Sequence, residues 1–280
     1  MRQKYVSPDI VSKMKRAISN IALPAYEHDR ELNMLQPLGF SGLEVAPSRT
    51  WRETFQGLTP SAVSRYRRTV EDAGLSIVGL HSLFFDQPNL GLFRDPDTRS
   101  TTLTFLEHLS AVCRDLGGRT LIWGSGRNRE LVSSADACSE ALDFIGALCQ
   151  RIEGHGTCFC FEPLGPNDSD FINSARESFK IAEAINHSAF AVQLDAKALV
   201  ENHELNESTI RSVRSKLVHV HVNEPGLGVL DQHVVDHAAF GAYLADINYD
   251  GYVSLEQRML NEDHPLEPVR RSAQVMAAHY

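Results

Sequence analysis

The sequence predicts an α/β fold, a single (β/α)8 barrel over residues 1–280, and three observations predict it. Short apolar or β-branched runs alternate with longer helical patterns along the whole chain, which is the mark of a parallel sheet built from βα units. Eight such runs can be read, each followed by a helical segment. No linker or low-complexity stretch interrupts them, and 280 residues suit one closed barrel rather than two domains.

Taken in order, the first strand is read at 17–22 (AISNIA) and leads into LPAY, without the glycine-rich loop that an open doubly wound sheet would place there. A helix over 26–36 carries the chain to the second strand, 42–45 (GLEV), and a helix over 61–73 to the third, 76–81 (SIVGLH). The basic cluster Arg65, Arg67 and Arg68 falls on the outer face of that second helix. The longest helix, 96–116, starts at Asp95-Pro96; glycines after Ala73 and Leu116 suit helix ends. The fourth strand, 120–123 (TLIW), is followed by a helix over 134–153 with Ser133-Ser134 as its N-cap region. Strand five, 157–162 (TCFCFE), precedes a helix over 175–185 that starts near Asn173. The remaining strands are 189–195 (AFAVQLD), 217–221 (LVHVH) and 252–256 (YVSLE), with helices over 207–216, 238–246 and 268–278.

Composition excludes several classes. Lys+Arg total 27 against 36 Asp+Glu, a formal charge of −9, which repels phosphate backbones; nucleic acid is not an expected partner. No apolar run approaches the ~18 residues of a membrane span, and MRQKYVSPDIVSKMKR has no secretory apolar core, so a cytoplasmic protein with no membrane partner is expected. Five scattered cysteines suit reduced, mostly buried thiols; Cys158 and Cys160, alternate on one strand, read as core filling.

In a barrel of this kind the active site lies at the C-terminal ends of the strands. There the runs close on Glu44, His81, Trp123, Glu162, Asp195, His221 and Glu256. Six of the eight strands thus finish with an acid or a histidine. Such groups are costly to bury together, and a convergent ring of carboxylates and imidazoles calls for a cation. Period-2 alternation puts Cys158 and Cys160 beneath Glu162, and His219 beneath His221.

The order Glu162, Asp195, His221, Glu256, within the segments LEVAP, FEPLG, LDAK, HVHVNE and SLEQR, resembles the metal-ligand set of the xylose-isomerase-like TIM barrel superfamily. The pattern is that of the ketohexose 3-epimerases, with the sugar-phosphate isomerase/epimerase group around them. The resemblance implies one divalent ion held by Glu162, Asp195, His221 and Glu256. Three carboxylates and one imidazole suit Mn²⁺ first, then Mg²⁺ or Co²⁺, and a thiolate-free set argues against Zn²⁺. It further implies that the ion polarises the carbonyl of an α-hydroxyketone and stabilises the enediolate, while Glu162 and Glu256 exchange the proton as the catalytic pair.

Three positions depart from the epimerase pattern: Ala198 replaces a histidine, Leu227 an arginine and Asp168 a glutamate. These positions contact the sugar in the family, so the expected substrate is a sugar or sugar derivative, with a ketohexose no longer implied by the resemblance. Further substrate contacts are expected from Glu44, His81, Asp168 and Glu224, with Asn223 beside Glu224 orienting His221 or binding hydroxyls, and from Trp123 as an aromatic floor. Lys197 either neutralises a substrate anion or starts a helix-side ion pair. Arg258 either points inward or sits exposed on its loop. Arg127 and Arg129, in a glycine-flexible loop, form either a phosphate site or surface charge. The long segment 81–94 is read as a cap in which Phe84, Phe85, Leu90 and Phe93 exclude water or meet a second copy of the chain in a homo-oligomer, with core packing under a loop as the other reading.

The activity expected is therefore a metal-dependent isomerase or epimerase. A dehydratase or lyase acting on a keto-sugar or keto-inositol shares the first half-reaction. An endonuclease IV-like repair enzyme would need more ligands and a phosphate-tolerant surface, and a non-catalytic sugar-binding barrel would not need two acid/base glutamates.

Overall fold

The computed structural model describes residues 14–130 and 136–280, and its eight strands close in sequence order into a parallel barrel. The strands are β1 (Lys15–Ser19), β2 (Gly42–Val45), β3 (Ser76–Leu80), β4 (Thr120–Trp123), β5 (Cys158–Phe161), β6 (Phe190–Asp195), β7 (Leu217–Val222) and β8 (Tyr252–Leu255). β1 pairs with β8 to complete the ring, Ile18 lying opposite Leu255. Around it run α1 (Asp29–Leu32), α2 (Pro47–Thr50), α3 (Pro60–Asp72), α4 (Pro96–Leu116), α5 (Ala137–Ile152), α6 (Ala175–Ile185), α7 (Ala196–Glu201), α8 (Glu207–Val213), α9 (His237–Asp246) and α10 (Leu266–His279). Among the described residues no helix is long and apolar enough to cross a membrane.

Alternation sorts the side chains. On β5, Phe159 and Phe161 face the helix layer and join the large core, while Cys158 and Cys160 face the barrel axis with Ile122 and Ala191. Both cysteines are buried free thiols, as their spacing predicts. The axis is otherwise unusually polar: Ser19, Glu44, Gln193, His219, His221 and Ser254 are all fully buried, so each needs a partner. Three strand-end residues lie one position beyond their strands yet remain tied to the neighbouring strand. His81 N donates to Val45 O, Glu162 N to Trp123 O and Glu256 N to Val222 O.

Several boundaries differ from the sequence reading. β1 runs over Lys15–Ser19 rather than 17–22, because the Ser19 hydroxyl accepts from Ile21 N and turns the chain into a 3-10 turn. The helix read at 26–36 shrinks to α1, since Tyr26 takes a left-handed φ of 67° and Pro37 sits inside a second 3-10 turn. Asp95 caps α4 through Asp97 N and Thr98 N, as expected. The cap of α6 is Ser174, in a capping box with Glu177, and not Asn173, whose amide instead binds the carbonyls of Leu164, Gly165 and Ser169. Ser133 and Ser134 lie outside the described residues; Asp136 caps α5. Gly74 and Gly117 leave their helices at φ values of 76° and 83°.

Candidate active site

Glu162, Asp195, His221 and Glu256 come from β5, β6, β7 and β8 and meet at the C-terminal mouth of the barrel. Each offers a ligand atom within 4.8 Å of the others. His221 Nδ1 lies 2.7 Å from Glu162 Oε1 and 3.7 Å from Glu256 Oε2. The carboxylates are held individually. Asp195 Oδ1 accepts from Ala198 N at 2.8 Å and so caps α7, and its Oδ2 accepts from Asn223 Nδ2 at 2.5 Å. The same Asn223 Nδ2 donates to Glu256 Oε2 at 2.8 Å, while Asn223 Oδ1 accepts from Lys197 N at 2.9 Å. Glu162 Oε1 accepts from Gln193 Nε2 at 3.0 Å, and its main-chain carbonyl from the guanidinium of Arg129 at 2.9 Å. His81 stands beside Glu256, Nδ1 to Oε1 being 3.4 Å, with its Nε2 2.5 Å from Ser19 Oγ.

This crowding shifts the ionisations. Burial, together with the Glu162 and Glu256 charges, pushes Asp195 well above the usual carboxylate range. Burial would lower His221, but Glu44, Glu256 and Glu162 outweigh it and hold the imidazole well above its ordinary value. Burial would raise Glu256, yet His221, His81 and Asn223 bring it down to about 2. A buried group of three acids in which one carboxyl is forced towards its neutral form is a site short of positive charge. The donor set, three carboxylates and one imidazole nitrogen, fits a hard divalent cation.

A cavity of about 430 Å³ opens over Glu162, Asp195 and Glu256, lined also by the β4 loop, Leu164, Asp168, Lys197, Ala198, Asn223 and Leu227. A second, of about 280 Å³, shares Glu162 and Glu256 and runs to His81, Phe84 and Phe85. Gly124 lines both, and a Cβ placed there would lie 1.9 Å from Glu162 Oε2. Only glycine lets the β4 loop pass this close to the carboxylate. Gly124→Ala is therefore expected to displace Glu162 and lower kcat about 100-fold with the fold intact, checked by steady-state kinetics beside circular dichroism.

Four of the expected substrate contacts are placed otherwise. Glu44 is fully buried beneath His221 and lines neither cavity. Trp123 shares the outward parity of Leu121 and packs against Phe84 at 4.6 Å and Phe161 at 5.5 Å in the helix layer, so it is not a floor to the mouth. Glu224 leaves the strand and turns towards Val235 N and His237. Arg258 is exposed and lines neither cavity. Asp168, Lys197 and His81 do line the mouth. Lys197, however, gives its charge to Asp168 at 2.6 Å and Glu201 at 3.2 Å, the helix-side ion pair of its two readings. Arg129 is buried against the Phe161 ring, whereas Arg127 is exposed at the mouth. In the 81–94 segment Phe84, Leu90 and Phe93 are core, and Phe85 alone of the four named residues is exposed, at 70%. Sequence reasoning missed Gln193, although its place two residues before Asp195 puts it on the same face.

Comparison with known proteins agrees with this geometry. Residues 32–279 match the model of the family described as xylose isomerase-like TIM barrel. The D-psicose 3-epimerase of Ruminiclostridium cellulolyticum is 26% identical over 225 residues, covering 78% of this chain and 74% of that protein. The crystal structure of D-psicose 3-epimerase with D-tagatose from Clostridium cellulolyticum superposes with a TM-score of 0.80 at 18% identity, covering 95% of this chain and 98% of that one. A 3-keto-D-glucoside 4-epimerase from E. coli gives a TM-score of 0.75 at 17% identity, covering 95% and 98%. With a family match over most of its length and a closed barrel whose mouth gathers acids and an imidazole, the chain belongs to the xylose isomerase-like TIM barrel family.

Proposed function

We propose that the protein is a divalent-metal-dependent epimerase or isomerase of a sugar or sugar derivative. The observation that carries this reading is the convergence of Glu162, Asp195, His221 and Glu256 at one mouth, with both glutamates facing the same cavities. The likeness to sugar epimerases in sequence and fold supports it. A cation held by these four residues, Mn²⁺ by preference, would supply Lewis-acid polarisation of a substrate carbonyl.

The chain's own residues do the rest. Glu256, whose Oε2 accepts from Asn223 Nδ2 and whose Oε1 faces His81 Nδ1, is positioned to take a proton from the carbon next to the carbonyl. Glu162, steadied by Gln193 and by Arg129 behind its main chain, delivers from its own side of the cavity a proton taken up from solvent, and the proton on Glu256 returns to solvent. In the reverse reaction the two exchange duties. Ala198 and Leu227 make part of the wall apolar where the ketohexose 3-epimerases place a histidine and an arginine, so a less hydroxylated or substituted sugar fits that wall.

The test is NMR in D₂O with a panel of keto-sugars and their derivatives. Deuterium entering the carbon next to the carbonyl, with a new epimer or isomer accumulating only when Mn²⁺ is present, is the expected outcome. Loss of water without solvent deuterium at a retained carbon would overturn the epimerase reading in favour of a lyase.

A further inference from the structure

Glu44 contacts nothing that a substrate could reach, yet it is among the most heavily engaged carboxylates of the barrel. It is fully buried on β2. Its Oε2 accepts from Ser254 Oγ on β8 at 2.7 Å and faces His221 Nε2 on β7 at 3.0 Å. Its Oε1 lies 3.2 Å from the same His221 Nε2 and 3.0 Å from His219 Nε2. The two nitrogens of His221 are thus divided between neighbours: Nε2 looks down at Glu44, and Nδ1 looks up at Glu162 and Glu256.

An ionised carboxylate only accepts hydrogen bonds, so the nitrogen it faces must carry the proton. Nδ1 faces Glu162 in the same way, so where a cation takes the place of the Nδ1 proton, the one proton left on the neutral imidazole is fixed at Nε2 and the Nδ1 lone pair serves the cation. We propose that Glu44 is a positioning residue: it locks His221 as the Nε2–H tautomer and aims Nδ1 into the ligand cluster, which sets the affinity of the site for a divalent ion. The role rests on the metal reading given above. Ser254 on β8 holds Glu44 on β2 in place, so the imidazole on β7 is braced from two other strands at once. This geometry is also why Glu44 does not serve as the substrate contact that its strand-end position suggests.

The experiment uses the full chain stripped of metal and titrated with Mn²⁺ alone, the free aquo ion being counted by electron paramagnetic resonance. Four proteins are compared: wild type, Glu44→Gln, Glu44→Ala and Cys160→Ala, the last a buried change on the same axis that touches no ligand. Outer hydrogen-bond partners of metal-binding histidines typically contribute 10–100-fold to affinity. Glu44→Gln keeps an acceptor and is expected to weaken Mn²⁺ about 10-fold, Glu44→Ala about 100-fold, and Cys160→Ala less than about twofold. Nitrogen-15 NMR of the Mg²⁺-loaded wild type is expected to place the His221 proton on Nε2.

A folded Glu44→Ala protein that binds Mn²⁺ like wild type, or a His221 proton found on Nδ1, would overturn the inference. Equal weakening by Cys160→Ala would overturn it too, by assigning the effect to packing. Should Glu44→Ala not fold, the nearly isosteric Glu44→Gln carries the test. Wild type that takes up no Mn²⁺, Mg²⁺ or Co²⁺ would instead overturn the metal reading beneath it.

Discussion

Replacing Glu256 by glutamine is expected to lower kcat by about 10²–10⁴, the usual contribution of a positioned acid or base. The side chain keeps its shape, its hydrogen-bond neighbours Asn223 and His81 remain, and the fold is retained. What disappears is the carboxylate that takes and returns the proton. Glu162→Gln is expected to cost as much. Both residues are also proposed ligands, so loss of turnover alone does not separate proton transfer from weakened ion binding. Label exchange does. With saturating Mn²⁺, each variant should still exchange the reacting hydrogen of one epimer with solvent and fail on the other, in complementary fashion, because each glutamate serves one face. A variant that keeps more than about a tenth of wild-type turnover removes that residue from the pair.

Stripping the protein with a chelator is expected to abolish turnover and lower the melting temperature, and adding Mn²⁺ to reverse both. Binding to the folded state alone at 100 times Kd stabilises by about 2.7 kcal/mol. For a domain of 280 residues that corresponds to a rise of about 5 °C in Tm. The effect has a sign in pH. In the metal-free site Asp195 and His221 both hold protons more tightly than usual, and both must give up a proton to bind an ion. Affinity should therefore rise with pH and weaken as acid returns those protons. Melting curves with and without Mn²⁺ at several pH values check this; curves that coincide at every pH for Mn²⁺, Mg²⁺ and Co²⁺ would defeat the metal assignment.

The barrel was legible because period-2 runs that end in acids or histidines are hard to mistake once eight of them recur. It blurred where local chemistry competed with periodicity. Ser19 captures Ile21 N and ends β1 early, and Tyr26 at a left-handed φ denies the first helix its opening turn. The ligand cluster was legible because Glu162, Asp195, His221 and Glu256 sit in or directly after strands, where alternation still decides direction. Trp123 obeys the same alternation and faces outward with Leu121, the side opposite to Ile122 and the barrel axis. Glu224 was not readable in this way: beyond Val222 no ladder fixes the side chain, and a loop turn aims it at Val235. Glu44 was legible as a strand-end acid, but depth along the axis is a register property, which strand-end position alone does not specify.

The ion trio at the rim bears on kinetics. Lys197 sits between Asp168 and Glu201; the three leave one negative charge, Arg127 at the same mouth offsets it, and the field there comes from the carboxylates beneath. Field lines from those carboxylates draw cations inward over about 10 Å at 0.1 M ionic strength, farther at lower salt, and turn anions away. Capture of the divalent ion is then a steered, salt-sensitive encounter, whereas arrival of an uncharged sugar is not. Raising ionic strength should slow the reloading of stripped enzyme far more than it slows turnover of the loaded one.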